Sequence, residues 1–307
     1  MIALLHGLAR QGRLVLVIGL IVGILAPGLA ESMAPLIFPM IVFLLFLSVL
    51  RVDVLSAFGD WRDVPGAVGI SAAMQIGLPL TAIAVLWGIG ALDSILGIGV
   101  VLVLAAAPLT GSPGLTILAG GDPAPALRQL ITGTAILPLT VLPVFWLMPV
   151  FGAPEVVAGA AARLLGVIGL AGGIGVWVRR SAGFLQTTRG GKAVDGVITL
   201  VMAVVVVGLM SSVGPALIAM EQDIWATLAV VCGLNFGAQA AALFILRRGK
   251  FTSEAPALAI IAGNRNLALF LGALPADTGA ALLLFIGCYQ VPMYLTPMIM
   301  GPLVRRL

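Results

Sequence analysis

The sequence predicts an all-α membrane protein of ten transmembrane helices, built as a 5+5 inverted repeat with two discontinuous helices that cross at the midplane. Three observations carry this expectation. The chain of 307 residues is 61% hydrophobic and only 9% charged, whereas soluble domains carry about 25% charged residues. Its apolar runs, read against their breaks, number ten. Its basic residues fall in every second connecting segment, the pattern that the positive-inside rule imposes on a multi-pass chain.

The spans fall at 14–30, 34–50, 66–90, 94–120, 129–149, 157–178, 194–214, 222–246, 256–274 and 279–303, the fourth and ninth being interrupted. Span 1 follows Arg10 and Arg13 and is apolar from Leu14 to Leu25. Gly28-Leu29-Ala30 also fits a signal-peptide cleavage site. Pro27 and the apolar run behind it fit a retained first helix equally well, and the retained helix is the reading adopted. Span 2 is followed by Arg51 and Arg62, span 4 by Arg128, and span 6 by Arg179, Arg180, Arg189 and Lys192. Arg247, Arg248 and Lys250 follow span 8, and Arg305 and Arg306 follow span 10. The opposite segments hold Glu31, Asp93, Glu155, Glu221, Asp223 and Asp277 with no Lys or Arg. This places both termini in the cytoplasm and the chain in the inner (plasma) membrane. Arg163 falls inside span 6, where snorkelling toward an interface is its expected fate.

A pI of 9.7 invites a nucleic-acid reading, but the basic residues form small clusters between apolar runs, with no dense patch interleaved with aromatics. Cys232 and Cys288 lie in apolar segments, where a thiol behaves as a small buried hydrophobe. Neither a disulfide framework nor metal-ligand spacing is present, and no cofactor is expected.

The ten spans divide near Gly152 into halves 1–150 and 151–307 of five spans each. Five is odd, so the second half runs inverted, a plan common among secondary transporters. The fourth span of each half is the broken one. Gly111-Ser-Pro-Gly-Leu115-Thr-Ile-Leu-Ala-Gly120 lies over Gly263-Asn-Arg-Asn-Leu267-Ala-Leu-Phe-Leu-Gly272, with glycines matching at both ends. In the first break Pro108 and Pro113 remove backbone donors, while Gly111 and Gly114 allow close approach. A pair of ordinary kinked helices is the competing reading. Broken helices that meet would offer their amino-terminal dipole ends to an anion.

Arg265 is the strongest interruption of the ninth span. A guanidinium at bilayer depth costs at least about 2.5–3.5 kcal/mol, so it should face a cavity or the bundle interior. A short loop between two helices would also hold Gly-Asn-Arg-Asn, but each flank has only about seven apolar residues, half a span.

These residues resemble the bile acid/sodium symporter family, ten-span inverted-repeat transporters. Its fourth span has a pattern like Cys-Pro-Gly-Gly-Thr-Ala-Ser-Asn, followed by a Tyr-Leu-Ala-x-Gly-Asp/Asn turn. Here stands Ala106-Ala-Pro-Leu-Thr110-Gly-Ser112-Pro-Gly-Leu-Thr116-Ile-Leu118-Ala-Gly-Gly121-Asp122. Its ninth span reads like Glu-x-Gly-x-Gln-Asn, against Ile261-Ala-Gly263-Asn-Arg265-Asn266 here. Gln75 before Pro79, Pro138 in span 5 and the polar Asn235 in span 8 also have counterparts. The resemblance implies a core of spans 3–5 and 8–10 moving against a panel of spans 1, 2, 6 and 7. It also implies sodium bound where the broken helices cross. Ser112 and Gln75 keep oxygen ligands at matched positions. Others are lost: asparagine has become Pro113, hydroxyls Ala126 and Leu130, glutamate Ile261, and glutamine Arg265. A sodium ion about 4 Å from a guanidinium would be repelled by about 4 kcal/mol at an effective dielectric of about 20.

The expectation is therefore a secondary transporter of small organic anions, with Arg265 replacing the sodium charge. Arg265 offers a planar, bidentate partner to a carboxylate, sulfonate or sulfate. Asn264 and Asn266 line the break, and Ser112, Thr110, Gln75 and Asn235 add polar contacts. Ser112 and Thr110 could instead bond back to their own helix, and Gln75 could join two helices. Two alternatives stay open: a sodium-coupled organic anion or sterol symporter with a degraded site, and an anion channel, since a fixed cation in a pore also suits anions. An enzyme is not expected, because no span pairs carboxylates and the lone His6 lies near the amino terminus. Asp195 is the only carboxylate near a span interior that could carry a proton.

Overall fold

In hydrocarbon every backbone N–H and C=O needs a partner inside the protein, which favours helices throughout. The computed structural model describes residues 5–8, 11–51, 63–248 and 251–305, and these are helical except at short connections. Arg10, Arg62, Lys250 and Arg306, assigned above to the cytoplasmic side, lie outside the described residues.

In chain order the helices are α1 (Gly12–Leu25), α2 (Pro27–Arg51), α3 (Val64–Gly88), α4 (Ile95–Ala105), α5 (Ser112–Ala119), α6 (Pro123–Trp146), α7 (Pro154–Ser181) and α8 (Thr188–Leu209). They continue with α9 (Val213–Ile218), α10 (Gln222–Leu246), α11 (Ala255–Gly263), a 3-10 segment Leu267–Gly272, α12 (Ala276–Ala281) and α13 (Leu283–Val304). Among the described residues, seven helices are long and apolar enough to span a bilayer: α2, α3, α6, α7, α8, α10 and α13. The chain is an all-α, multi-pass membrane protein.

Two helices begin about two turns earlier than their apolar runs, because capping rather than hydropathy fixes their starts. The Asp122 carboxylate accepts from the Ala124 N–H at 3.0 Å, with Pro123 at the first helical position of α6. Thr187 Oγ1 likewise accepts from the Gly190 N–H at 3.0 Å and starts α8. In α3 the turn Ala73–Gly77 widens to π-helical spacing just before Pro79, which has no N–H to give to the preceding turn. Arg163 on α7 is exposed, as a snorkelling side chain requires.

The chain forms two compact units, each drawing helices from both halves of the sequence. One lies within Met1–Val54 and Gly166–Ile224, the other within Leu55–Leu165 and Trp225–Leu307. In the first unit α8 packs on α1 and α2. Gly19 and Gly23 of α1 let it approach closely: a side chain on Gly23 would lie 2.7 Å from Met210 Cβ. Arg51 Nε meets Asp195 Oδ1 at 2.6 Å, so the one carboxylate considered as a proton carrier is held in an ion pair, with its side chain 35% exposed. The second unit contains both interrupted spans. There Arg128 Nη1 reaches Glu254 Oε1 at 3.4 Å, and Phe145 stacks on Phe151 with centroids 4.0 Å apart.

Candidate functional site

The two interruptions are real breaks, and they pair with each other. After α4 the backbone turns extended at Ala106, with φ −66° and ψ 153°, and regains helix only at Ser112. After α11, Asn264 is extended, with φ −112° and ψ 96°, and helical turns resume at Leu267 in 3-10 form. The extended stretches run antiparallel, Pro108 opposite Arg265. Leu109 N–H donates to Asn264 O at 2.9 Å, and Asn266 N–H donates to Ala107 O at 2.8 Å. Backbone groups freed by one break are thus satisfied by the other, which is what their burial demands.

Glycines let neighbouring helices reach both breaks. A Cβ on Gly133 of α6 would lie 2.8 Å from Gln75 Nε2 and 2.9 Å from Pro108 Cδ. A Cβ on Gly263 would lie 2.1 Å from Asn235 O on α10.

Arg265 sits at the centre, 1% exposed. Its Nη1 donates to Ala106 O at 3.2 Å, placing the guanidinium on a carbonyl at the carboxyl end of half-helix α4, the negative end of its dipole. Nε and Nη2, which form one edge of the guanidinium fork, are buried without a hydrogen-bond partner among the described residues. A complete two-donor edge is therefore free.

The other expected residues divide into three groups. Asn264 and Asn235 join Arg265's break: Asn235 Nδ2 donates to Gly263 O and lies 3.4 Å from Asn264 Oδ1, while Asn264 Nδ2 donates to Ile260 O at 2.7 Å. Asn266 pairs through its backbone and is half-buried. Thr110 and Ser112 flank the first break. Thr110 is half-buried, and Ser112 Oγ is buried without a partner; it is Thr116 that bonds back, to Ser112 O at 2.9 Å. Gln75 joins α3 to α6, donating to Gly133 O at 3.0 Å and accepting from Thr140 Oγ1 at 2.8 Å. Its amide therefore does what an interhelical glutamine does, beside Pro108.

Three residues of this region were missed. Gln239 donates to Asn235 Oδ1 at 2.6 Å and approaches Thr296 Oγ1 at 3.1 Å; Thr296 Oγ1 lies 3.2 Å from Asn264 Oδ1; Tyr289 donates to Gly263 O. The four-residue spacing of Asn235 and Gln239, which puts both on one helix face, was the available signal. A lone Thr296 or Tyr289 gives none.

Among the positions where oxygen ligands are replaced, Ala126 and Ile261 come together in one apolar cluster with Ala257 and Leu258, against which Ile70 and Met74 pack. That volume offers a cation no side-chain oxygen from these residues.

No protein-family model and no curated protein matches the chain.

Proposed function

We propose that the protein is a secondary transporter of small organic anions, of the bile acid/sodium symporter type, in which Arg265 anchors the anion and replaces the sodium charge. The observation that carries this reading is the free Nε–Nη2 edge of a fully buried guanidinium at the pairing of two broken helices. A carboxylate matches that edge with two parallel hydrogen bonds. Burial of Arg265 means that an anion reaches it only when the protein opens, which is the behaviour of a carrier site with alternating access.

Other observations support the architecture. Counting α1 and the two interrupted spans as crossings beside the seven long helices gives the ten of this reading. Pro138 and Pro143 in α6 recur at the same spacing as Pro297 and Pro302 in α13, the fifth span of each half. The two compact units take spans 1, 2, 7 and most of 6 on one side, and 3–5 and 8–10 on the other, the panel and core of the family plan. Cytoplasmic termini in the inner membrane follow from the basic segments. The apolar cluster at Ala126 and Ile261 supports loss of sodium dependence.

The Ala106 contact favours a second reading, in which Arg265 is a fixed counter-charge to the α4 carboxyl end and attracts an anion from a distance. Uptake into proteoliposomes from a panel of carboxylates, sulfonates and sulfate separates the two. Direct anchoring predicts that Arg265→Gln abolishes uptake and that Arg265→Lys, with its point charge, is only partly active. Full activity of Arg265→Lys favours the distant charge, and near-normal uptake by Arg265→Ala overturns both. Saturable countertransport distinguishes a carrier from a channel.

A further inference from the structure

A polar cavity, about 330 Å³ in volume, lies wholly within the unit that contains α1, α2 and α8. Three basic side chains from three helices line it: Arg51 from the last turn of α2, Arg179 from the last turn of α7, and Lys192 from the second turn of α8. Thr187, which caps α8, and Gly191 complete the side nearest that helix's amino terminus.

Two of the three cations have an ordinary structural role. Arg179 Nη1 donates to Leu50 O at 2.6 Å, and both arginines sit at helix carboxyl ends, where positive charge is favoured. Asp195 pairs with Arg51, while Arg179 is held by the carbonyls of Leu50 and Leu185. Lys192 has no such account. Its side chain is exposed, makes no ion pair or hydrogen bond among the described residues, and lies near the positive end of the α8 dipole. The first turn of α8 carries no acidic residue to offset it. A Cβ on Gly191 would stand 3.5 Å from Arg51 Nη1, ordinary contact distance, so the start of α8 lies against that guanidinium. Among the described residues, Arg51, Arg179, Lys192 and a helix amino terminus therefore converge on a cavity whose lining holds no carboxylate.

We propose that this cavity binds a phosphate group, carried either by an anionic phospholipid headgroup or by a soluble phosphate compound. Several acceptor oxygens arranged tetrahedrally can engage an arginine, a lysine and a helix amino terminus together, which a single carboxylate does less completely. Basic pockets at the cytoplasmic ends of spans suit anionic headgroups, and the carboxyl ends of α2 and α7 and the start of α8 lie on the side rich in Lys and Arg. The inference does not depend on what Arg265 binds.

The test uses the full chain in neutral detergent, with lipid retention read by native mass spectrometry. Phosphatidylglycerol is titrated against phosphatidylcholine, and inorganic phosphate against chloride at matched ionic strength. Phosphatidylglycerol should be retained in preference, and Lys192→Gln should weaken it about fivefold, the effect of one basic residue beside an anionic surface. Lys192→Arg should restore it. Displacement of the lipid by inorganic phosphate, or phosphate binding that depends on Lys192 without lipid preference, assigns the site to soluble phosphate compounds. Resistance to displacement assigns it to the headgroup. Equal retention of both lipids with no phosphate binding overturns the proposal. So does phosphatidylglycerol binding that Lys192→Gln and Lys192→Glu leave unchanged.

Discussion

Replacing Arg265 by methionine should abolish transport without destabilising the empty protein. For most buried charges the opposite holds, because removing one partner of a buried pair costs about 3–5 kcal/mol. Arg265 has no carboxylate partner among the salt bridges of the described residues and makes one hydrogen bond, from Nη1 to Ala106 O. Methionine forfeits that charge-assisted bond, about 1.5–3 kcal/mol. It also removes a guanidinium that is 1% exposed, with two donors unpartnered, from a setting where arginine costs at least about 2.5–3.5 kcal/mol. The two terms leave methionine between about 0.5 kcal/mol less stable and about 2 kcal/mol more stable, a shift of at most several degrees in Tm. Thermal unfolding of wild type and Arg265→Met in detergent, without substrate, measures this directly. A transported anion at about 100 times its Kd should then raise wild-type stability by about 2.7 kcal/mol and leave the variant unmoved. A fall of more than about 5 °C in the substrate-free variant would refute the reasoning, since it would mean that the guanidinium is structurally satisfied and its free edge is not a binding edge.

Gly263→Ala should lower stability by about 1–3 kcal/mol through overpacking against Asn235 O. Gly66→Ala, where nothing lies within 4 Å, should stay within about 0.5 kcal/mol, both read by thermal unfolding. Substrate binding should be unchanged when sodium is exchanged for potassium or choline at constant ionic strength; a steep sodium dependence would remove the fixed-charge mechanism. A reporter active only in the periplasm should give signal when fused after Asp93 or Asp277 and none after Arg248, and reversal at any of these would require redrawing the neighbouring spans.

What the sequence made legible was local. Pro108 and Gly111 on one side, with Pro113 suited to a first helical turn, and Gly263, Asn264 and Asn266 on the other, are poor residues for a helix interior, so each break was readable where it stands. Hydropathy placed the spans but not the starts of α6 and α8, because Asp122-Pro123 and Thr187 act through one hydrogen bond apiece and carry no apolar signal. The 3-10 form of Leu267–Gly272 left no trace either, since its residues would suit an α-helix equally well.

Long-range pairing was not legible, and it gives Arg265 its meaning. Sequence alone placed a cation in a broken span; only the fold places it on Ala106 O, across from Pro108, with Nη1 engaged and the Nε–Nη2 edge free. Gln75 shows the converse. As a polar residue in an apolar span it was a reasonable ligand, yet both ends of its amide are engaged by Gly133 and Thr140. A buried polar side chain whose hydrogen bonds are complete stabilises the scaffold, whereas one whose bonds are incomplete carries a standing cost. Arg265 belongs to the second kind and Gln75 to the first, so the search for a ligand begins at the guanidinium edge rather than at the polar residues around it.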